Sequence, residues 1–98
     1  MNIDIKDFID VNVGLRNIID IRSNDIYNKG SIPNAINIPR RILLVNPDLY
    51  LSKNKTYYLY CEEGKFSKKV SKELNELGFT TYSISGGYEA FKKIRGKN

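Results

Sequence analysis

The sequence predicts an α/β domain: a parallel sheet covered by helices on both faces. Three observations predict it. Short β-favouring runs alternate with helix-patterned segments along the 98 residues. The clearest strand, Lys55 to Tyr60, is rich in Thr and Tyr, which suit extended backbone. The clearest helix follows it, with Val70, Leu74 and Leu77 on one apolar stripe and Gly78 placed to stop it.

The remaining elements follow in order. Asn17 to Ile21 reads as a short apolar strand ending at the charged pair Asp20 and Arg22. Asp25 to Lys29 suits a helical turn closed by Gly30. Pro33 imposes an extended segment through Ala35, Ile36 and Ile38 to Pro39. Arg40 to Val45 suits a short helix that Pro47 interrupts. After Gly78, Thr80 to Ile84 is a strand, Gly86-Gly87 turns the chain, and Tyr88 to Ile94 is a final helix with Phe91 and Ile94 inward. No repeat, low-complexity stretch or linker divides residues 1–98, so one domain is expected.

Composition narrows the chemistry. Hydrophobic residues make up 41% and charged residues 28%, the balance of a soluble globular protein. No apolar run approaches the roughly 18 residues of a membrane span. The opening segment carries Asp4, Asp7 and Asp10, unlike a signal peptide, so a cytoplasmic protein is expected. A single cysteine rules out an internal disulfide and a multi-thiolate metal site. The absence of histidine excludes a Cys–His nucleophilic pair. The net charge of +5 gathers late, at Lys65, Lys68, Lys69, Lys72, Lys92, Lys93, Arg95 and Lys97. Solvated helix faces are the ordinary reading of such residues. A nucleic-acid surface would need a recognition motif, and none is present.

The segment richest in chemistry is Cys61-Glu62-Glu63-Gly64-Lys65-Phe66-Ser67, between strand and helix. In parallel sheets ligands bind beyond the carboxyl ends of the strands. A tight loop at a helix N-terminus turns backbone N–H groups toward one point, and Gly64 permits the backbone shape this needs. A thiolate, a persulfide or an oxyanion would be stabilised there. Glu62 and Glu63 would oppose a thiolate if they pointed inward, whereas Lys65, Lys68 and Lys69 would favour it. The plain alternative is a buried apolar cysteine at a strand end. Asp20 and Arg22 read as a structural tie between loops. Gly86-Gly87 reads as backbone packing near the Cys61 loop, since no Lys-Ser or Lys-Thr follows to make a phosphate loop.

Three separated segments resemble the rhodanese family. Asp20-Ile21-Arg22 and Gly30-Ser31-Ile32-Pro33-Asn34-Ala35-Ile36-Asn37-Ile38-Pro39 are similar to its Asp-Val-Arg and Gly-His-Ile-Pro-Gly-Ala-x-Asn-Ile-Pro elements. A strand runs into Cys61, with Gly64 and Ser67 following. Ile84-Ser85-Gly86-Gly87-Tyr88-Glu89-Ala90-Phe91 is similar to Leu-x-Gly-Gly-x-x-Ala-Trp. The resemblance implies a three-layer rhodanese-like fold and a sulfurtransferase. Cys61 would be the nucleophile that accepts sulfane sulfur from a donor such as thiosulfate or a persulfide. The segment Glu62, Glu63, Gly64, Lys65, Phe66 and Ser67 would bind the substrate. A thiol or protein would accept the sulfur, and no metal, organic cofactor, nucleic acid or membrane is implied.

Ser31, Asn34 and Phe66 depart from the family pattern. Phe66 stands where many active members carry an arginine for an anionic donor, and the adjacent Lys65 offers a point charge rather than a fork. This bears on thiosulfate preference more than on persulfide chemistry. A non-catalytic interaction module of the same fold is the main alternative. Phosphatase or arsenate-reductase chemistry would want arginine where Ser67 stands.

Overall fold

The structure, a computed structural model, describes residues 1–10 and 17–95. Lys97 therefore lies outside the described residues. The elements run β1 (Asn2–Ile3), α1 (Ile5–Asp10), β2 (Asn17–Asp20), α2 (Asn24–Lys29), β3 (Ile36–Asn37), α3 (Arg40–Val45), a 3-10 turn (Pro47–Leu49), β4 (Thr56–Tyr60), α4 (Lys65–Glu76), β5 (Thr80–Ile84) and α5 (Gly87–Arg95). The five strands form one sheet in the order β1-β5-β4-β2-β3, and every pairing is parallel. The α/β class predicted from the alternation is the one observed. The opening pair β1 and α1 was not recognised from the sequence. Among the described residues no helix is long and apolar enough to cross a membrane.

Alternation along the inner strands creates two cores. Ile19, Leu59 and Tyr57 face one side with Leu43 of α3 and Val70 and Leu74 of α4. Ile18, Tyr60 and Ile84 face the other with Phe8 of α1 and Phe91 of α5. Successive strand residues point to opposite faces, so a sheet covered on both sides needs apolar residues at consecutive positions. Full burial of side chains such as Leu59 and Leu74 stabilises the fold by roughly 1.5–3 kcal/mol each. Cys61, one residue beyond β4, joins the α3–α4 core.

Two local devices set the ends of the helices. The Ser23 hydroxyl accepts from the Ile26 N–H at 3.4 Å and caps α2. At the end of α4, Gly78 N–H donates to the Asn75 carbonyl and Phe79 N–H to the Leu74 carbonyl, both at 3.1 Å. This paired pattern, with Gly78 at φ +100°, is a Schellman stop. It corrects one expectation: Leu77 is 55% exposed and buried Phe79 takes its place against Leu74. The helix stops at Glu76, and the reversal swings Phe79 under its last turn. Ile94 is half-buried at the edge of the second core, whereas Phe91 is inside it. Asn34, which replaces the glycine of the resembling motif, adopts φ +71°. Asparagine is among the few non-glycine residues that tolerate this conformation.

Candidate active site

The strand order itself locates a crevice. From β2 the chain crosses to β3 on one side, and from β4 it crosses to β5 on the other. The carboxyl ends of β2 and β4 therefore diverge in their connections, which is where open parallel sheets bind ligands. A cavity of about 370 Å³ lies there, lined by residues that follow β2 (Ile21, Arg22, Ser23) and β4 (Cys61, Glu62, Phe66), with Ile26, Pro39, Arg40 and Arg41 completing it.

The sulfur of Cys61 is held by the helix that follows it. The Gly64 N–H donates to Sγ at 3.1 Å and the Ser67 N–H at 3.3 Å. Gly64 occupies the N-cap of α4 at φ +96° and supplies no capping side chain. Sγ thus accepts the third-position N–H that a capping oxygen would otherwise take. A side chain at Gly64 would crowd the Gly86 nitrogen, whose distance from an added Cβ is 2.9 Å. The Ser67 hydroxyl lies 3.5 Å from Sγ and 2.7 Å from the Ser83 hydroxyl. A hydroxyl rotor of this kind can turn its proton toward a sulfur anion.

The carbonyls of the loop are drawn the other way. The Tyr88 N–H donates to the Cys61 carbonyl at 2.9 Å and the Glu89 N–H to the Glu62 carbonyl at 3.0 Å. The first turn of α5 therefore holds the loop's acceptors while its donors face the sulfur. Gly87, at φ +58°, packs against the Cys61 carbonyl so closely that an added Cβ would overlap it. The Gly86-Gly87 motif is backbone packing, as its sequence suggested.

Asp20 and Arg22 anchor the loop from below. Both Asp20 oxygens accept from Arg22, at 3.0 Å from Nε and 2.6 Å from a terminal nitrogen. The Tyr60 hydroxyl donates to Asp20 at 2.6 Å and accepts from the Ile32 N–H at 3.0 Å. Arg22 also reaches the Gly30 carbonyl at 2.7 Å and Glu62 at 3.1 Å, and lies over the Tyr88 ring at 4.4 Å. Burial disfavours the charged guanidinium. Hydrogen bonds to Asp20 and the charges of Asp20, Tyr60 and Glu62 outweigh that and raise the Arg22 pKa. Burial, and then the bond to Asp20, push the Tyr60 phenol above its ordinary value. The Glu62 carboxylate is thus engaged with Arg22, which answers the conflict of charges around Cys61.

The segment Glu62 to Ser67 does not converge as one site. Glu62 and Phe66 line the cavity with Cys61, and Ser67 is buried behind the sulfur. Glu63 and Lys65 line a separate shallow depression with Ser83 and Ser85, which Gly64 also borders while its N–H points at the sulfur. Lys65 also joins Lys68, Lys69 and Lys72 beside Met1 and Asn2. Among the described residues no cluster of three His, Cys, Asp or Glu side chains could hold a metal ion. Sequence reasoning did not single out Arg40, Tyr60 or Ser83 for the site. A faint signal for Ser83 was present: Thr81 and Ser83 alternate as polar residues inside a strand, and they meet Ser71 and Ser67 of α4.

Known proteins resemble this chain in sequence and in fold. Over 85 residues the chain is 34% identical to the thiosulfate sulfurtransferase PspE of Escherichia coli, covering 80% of this chain and 78% of that one. It is 40% identical over 78 residues to a tRNA sulfurtransferase of Thermoplasma acidophilum, covering 80% of this chain but only 14% of that longer protein. The crystal structure of a rhodanese-related protein from Thermoplasma volcanium superposes with a TM-score of 0.85 at 27% identity, covering 94% and 90% of the two chains. Residues 4–94 match the rhodanese-like domain, and the chain belongs to that family.

Proposed function

We propose that the protein is a sulfurtransferase in which Cys61 carries the sulfur as a persulfide. The observation that supports this most is Sγ at the switch-point crevice, facing the cavity and held by the N–H groups of Gly64 and Ser67. Donors aimed at one sulfur favour its anionic forms, thiolate before transfer and persulfide after it. In the first half-reaction the Cys61 thiolate attacks the outer sulfur of thiosulfate. A new S–S bond forms, the donor's S–S bond breaks, and sulfite leaves with the electron pair. In the second, cyanide or a thiolate attacks the terminal sulfur of Cys61–S–S⁻ and leaves as thiocyanate or a persulfide, restoring the thiolate. Both steps conserve charge and need no cofactor. The name of the PspE relative supports thiosulfate as a donor. We assign the reaction to the cytoplasm, where a free thiol stays reduced.

Mixing the protein with thiosulfate and cyanide tests the proposal. Thiocyanate should form with the native chain and not with Cys61→Ser. Equal formation by both would overturn it. A second reading, a non-catalytic interaction module, draws on Phe66 in place of arginine. That reading expects Cys61 to resist iodoacetamide at neutral pH, whereas the sulfurtransferase reading expects rapid alkylation.

A further inference from the structure

Three guanidinium groups border the cavity: Arg22, Arg40 and Arg41. Arg22 is fully engaged by Asp20, Glu62 and the Gly30 carbonyl. Arg41 is exposed and also borders a second depression along α3. Arg40 differs from both. Its backbone is fixed, since its N–H donates to the Ile21 carbonyl at 3.0 Å beyond the end of β2. Its guanidinium lies over the Phe66 ring at 3.8 Å. Among the described residues, no carboxylate or hydrogen-bond acceptor pairs with that guanidinium. A planar fork with its donors uncommitted, stacked on a ring beside a nucleophilic sulfur, is an anion receptor.

Ile21, Ile26, Pro39 and Phe66 give the cavity apolar walls, and Glu62, which also lines it, has its carboxylate engaged by Arg22. A small, fully hydrated dianion gains little from such walls, whereas an apolar group beside an anionic one gains burial and charge together. The site thus pairs one anion-binding fork with an apolar floor.

We infer that Arg40, stacked on Phe66, binds the anionic group of the sulfur donor, and that the site prefers donors joining that anion to an apolar body, such as arene thiosulfonates. This rests on the persulfide chemistry proposed above. The transfer step balances in the same way. The Cys61 thiolate attacks the outer sulfur of the thiosulfonate, the bond between the two sulfurs breaks, and the arenesulfinate leaves with the electron pair. Arg40 would hold the sulfonyl oxygens, where charge accumulates as the sulfinate departs. Phe66 does not leave the site without an arginine; it serves as the platform for one delivered from another element.

The test compares steady-state sulfur transfer from benzenethiosulfonate and from thiosulfate to cyanide. Wild type should show the higher kcat/KM with benzenethiosulfonate. Arg40→Ala should lower kcat/KM for that donor about tenfold or more, the scale of one lost charge-assisted hydrogen bond, through both a higher KM and a lower kcat. Arg40→Met, which keeps an apolar stem over Phe66, should lose as much, and Arg40→Lys should recover only part. Phe66→Ala should reduce the preference for the aryl donor. A second readout needs no turnover: unreactive benzenesulfonate should protect Cys61 from iodoacetamide in wild type and not in Arg40→Met. If Cys61 gains sulfur but the Arg40 variants match wild type with both donors, the inference fails while the sulfurtransferase reading stands. Preference for thiosulfate would also overturn it. If Cys61 gains sulfur from neither donor, both fail together.

Discussion

The two sides of the Cys61 loop are built on opposite principles. Below it, Asp20, Arg22 and Tyr60 are buried and tied into one chain of hydrogen bonds from the Ile32 N–H to the Glu62 carboxylate. Above it, Phe66 is 47% exposed and Arg40 is half-buried, held by a ring face rather than by an acceptor. The lower side fixes where the sulfur sits. The upper side decides what meets it. A buried charged pair is costly to disturb, because removing one partner strands the other in a low dielectric. A surface side chain can change with little effect on folding. The difference means that the upper side can be altered while the sulfur-holding loop stays in place.

The largest effect expected from this contrast is on stability. Asp20→Ala should cost about 3–5 kcal/mol by taking from buried Arg22 its one buried carboxylate and leaving it only the more exposed Glu62, whereas Arg40→Ala should stay within about 0.5 kcal/mol of wild type. Urea denaturation of the two variants measures both, and equal losses would erase the distinction. Gly87→Ala should rank next, at about 1–3 kcal/mol, through its left-handed backbone and the overlap with the Cys61 carbonyl. If it melts with wild type, the docking of α5 on the loop is looser than described.

Tyr60→Phe probes the same buried side through pH. The folded state raises the Tyr60 pKa, so folding favours the protonated phenol. That contribution is fully present below the ordinary tyrosine value of about 10 and is lost as pH rises beyond it. Stability of the native chain should therefore fall above about pH 10. Tyr60→Phe should be about 1–3 kcal/mol less stable at neutral pH, because the Ile32 N–H and Asp20 lose a partner, but should show a shallower alkaline decline. Parallel alkaline profiles would contradict the shift. Among the changes on the buried side, Ser67→Ala should have the smallest effect, about 1 kcal/mol, and leave the Ser83 hydroxyl short of a partner. It should slow persulfide formation without abolishing it, since the Ser67 N–H remains.

Much of this was legible in the sequence, for physical reasons. The β4–Cys61–α4 element was clear because Thr and Tyr give way to a glycine and then to helical spacing at Val70 and Leu74. The tie between Asp20 and Arg22 was readable because two opposite charges end an apolar strand. Arg40 was not, since its position over Phe66 depends on how the segment after β3 folds back to the end of β2, a contact between residues distant in sequence. Nor could spacing show that Lys65 would turn away from the cavity, because that depends on which residue starts α4. Leu77 misled because its stripe position is real, but the Schellman stop ends the helix before it can bury. The two-residue β1 was too short to show a period at all.

The central claim is that the loop presents one sulfur atom for loading. Intact mass after incubation with a persulfide donor, followed by cyanide, tests it most directly. The native chain should gain one sulfur atom and lose it again to cyanide, while Cys61→Ser gains none. A native chain that stays at its own mass, or a Cys61→Ser variant that gains sulfur equally, would contradict the claim.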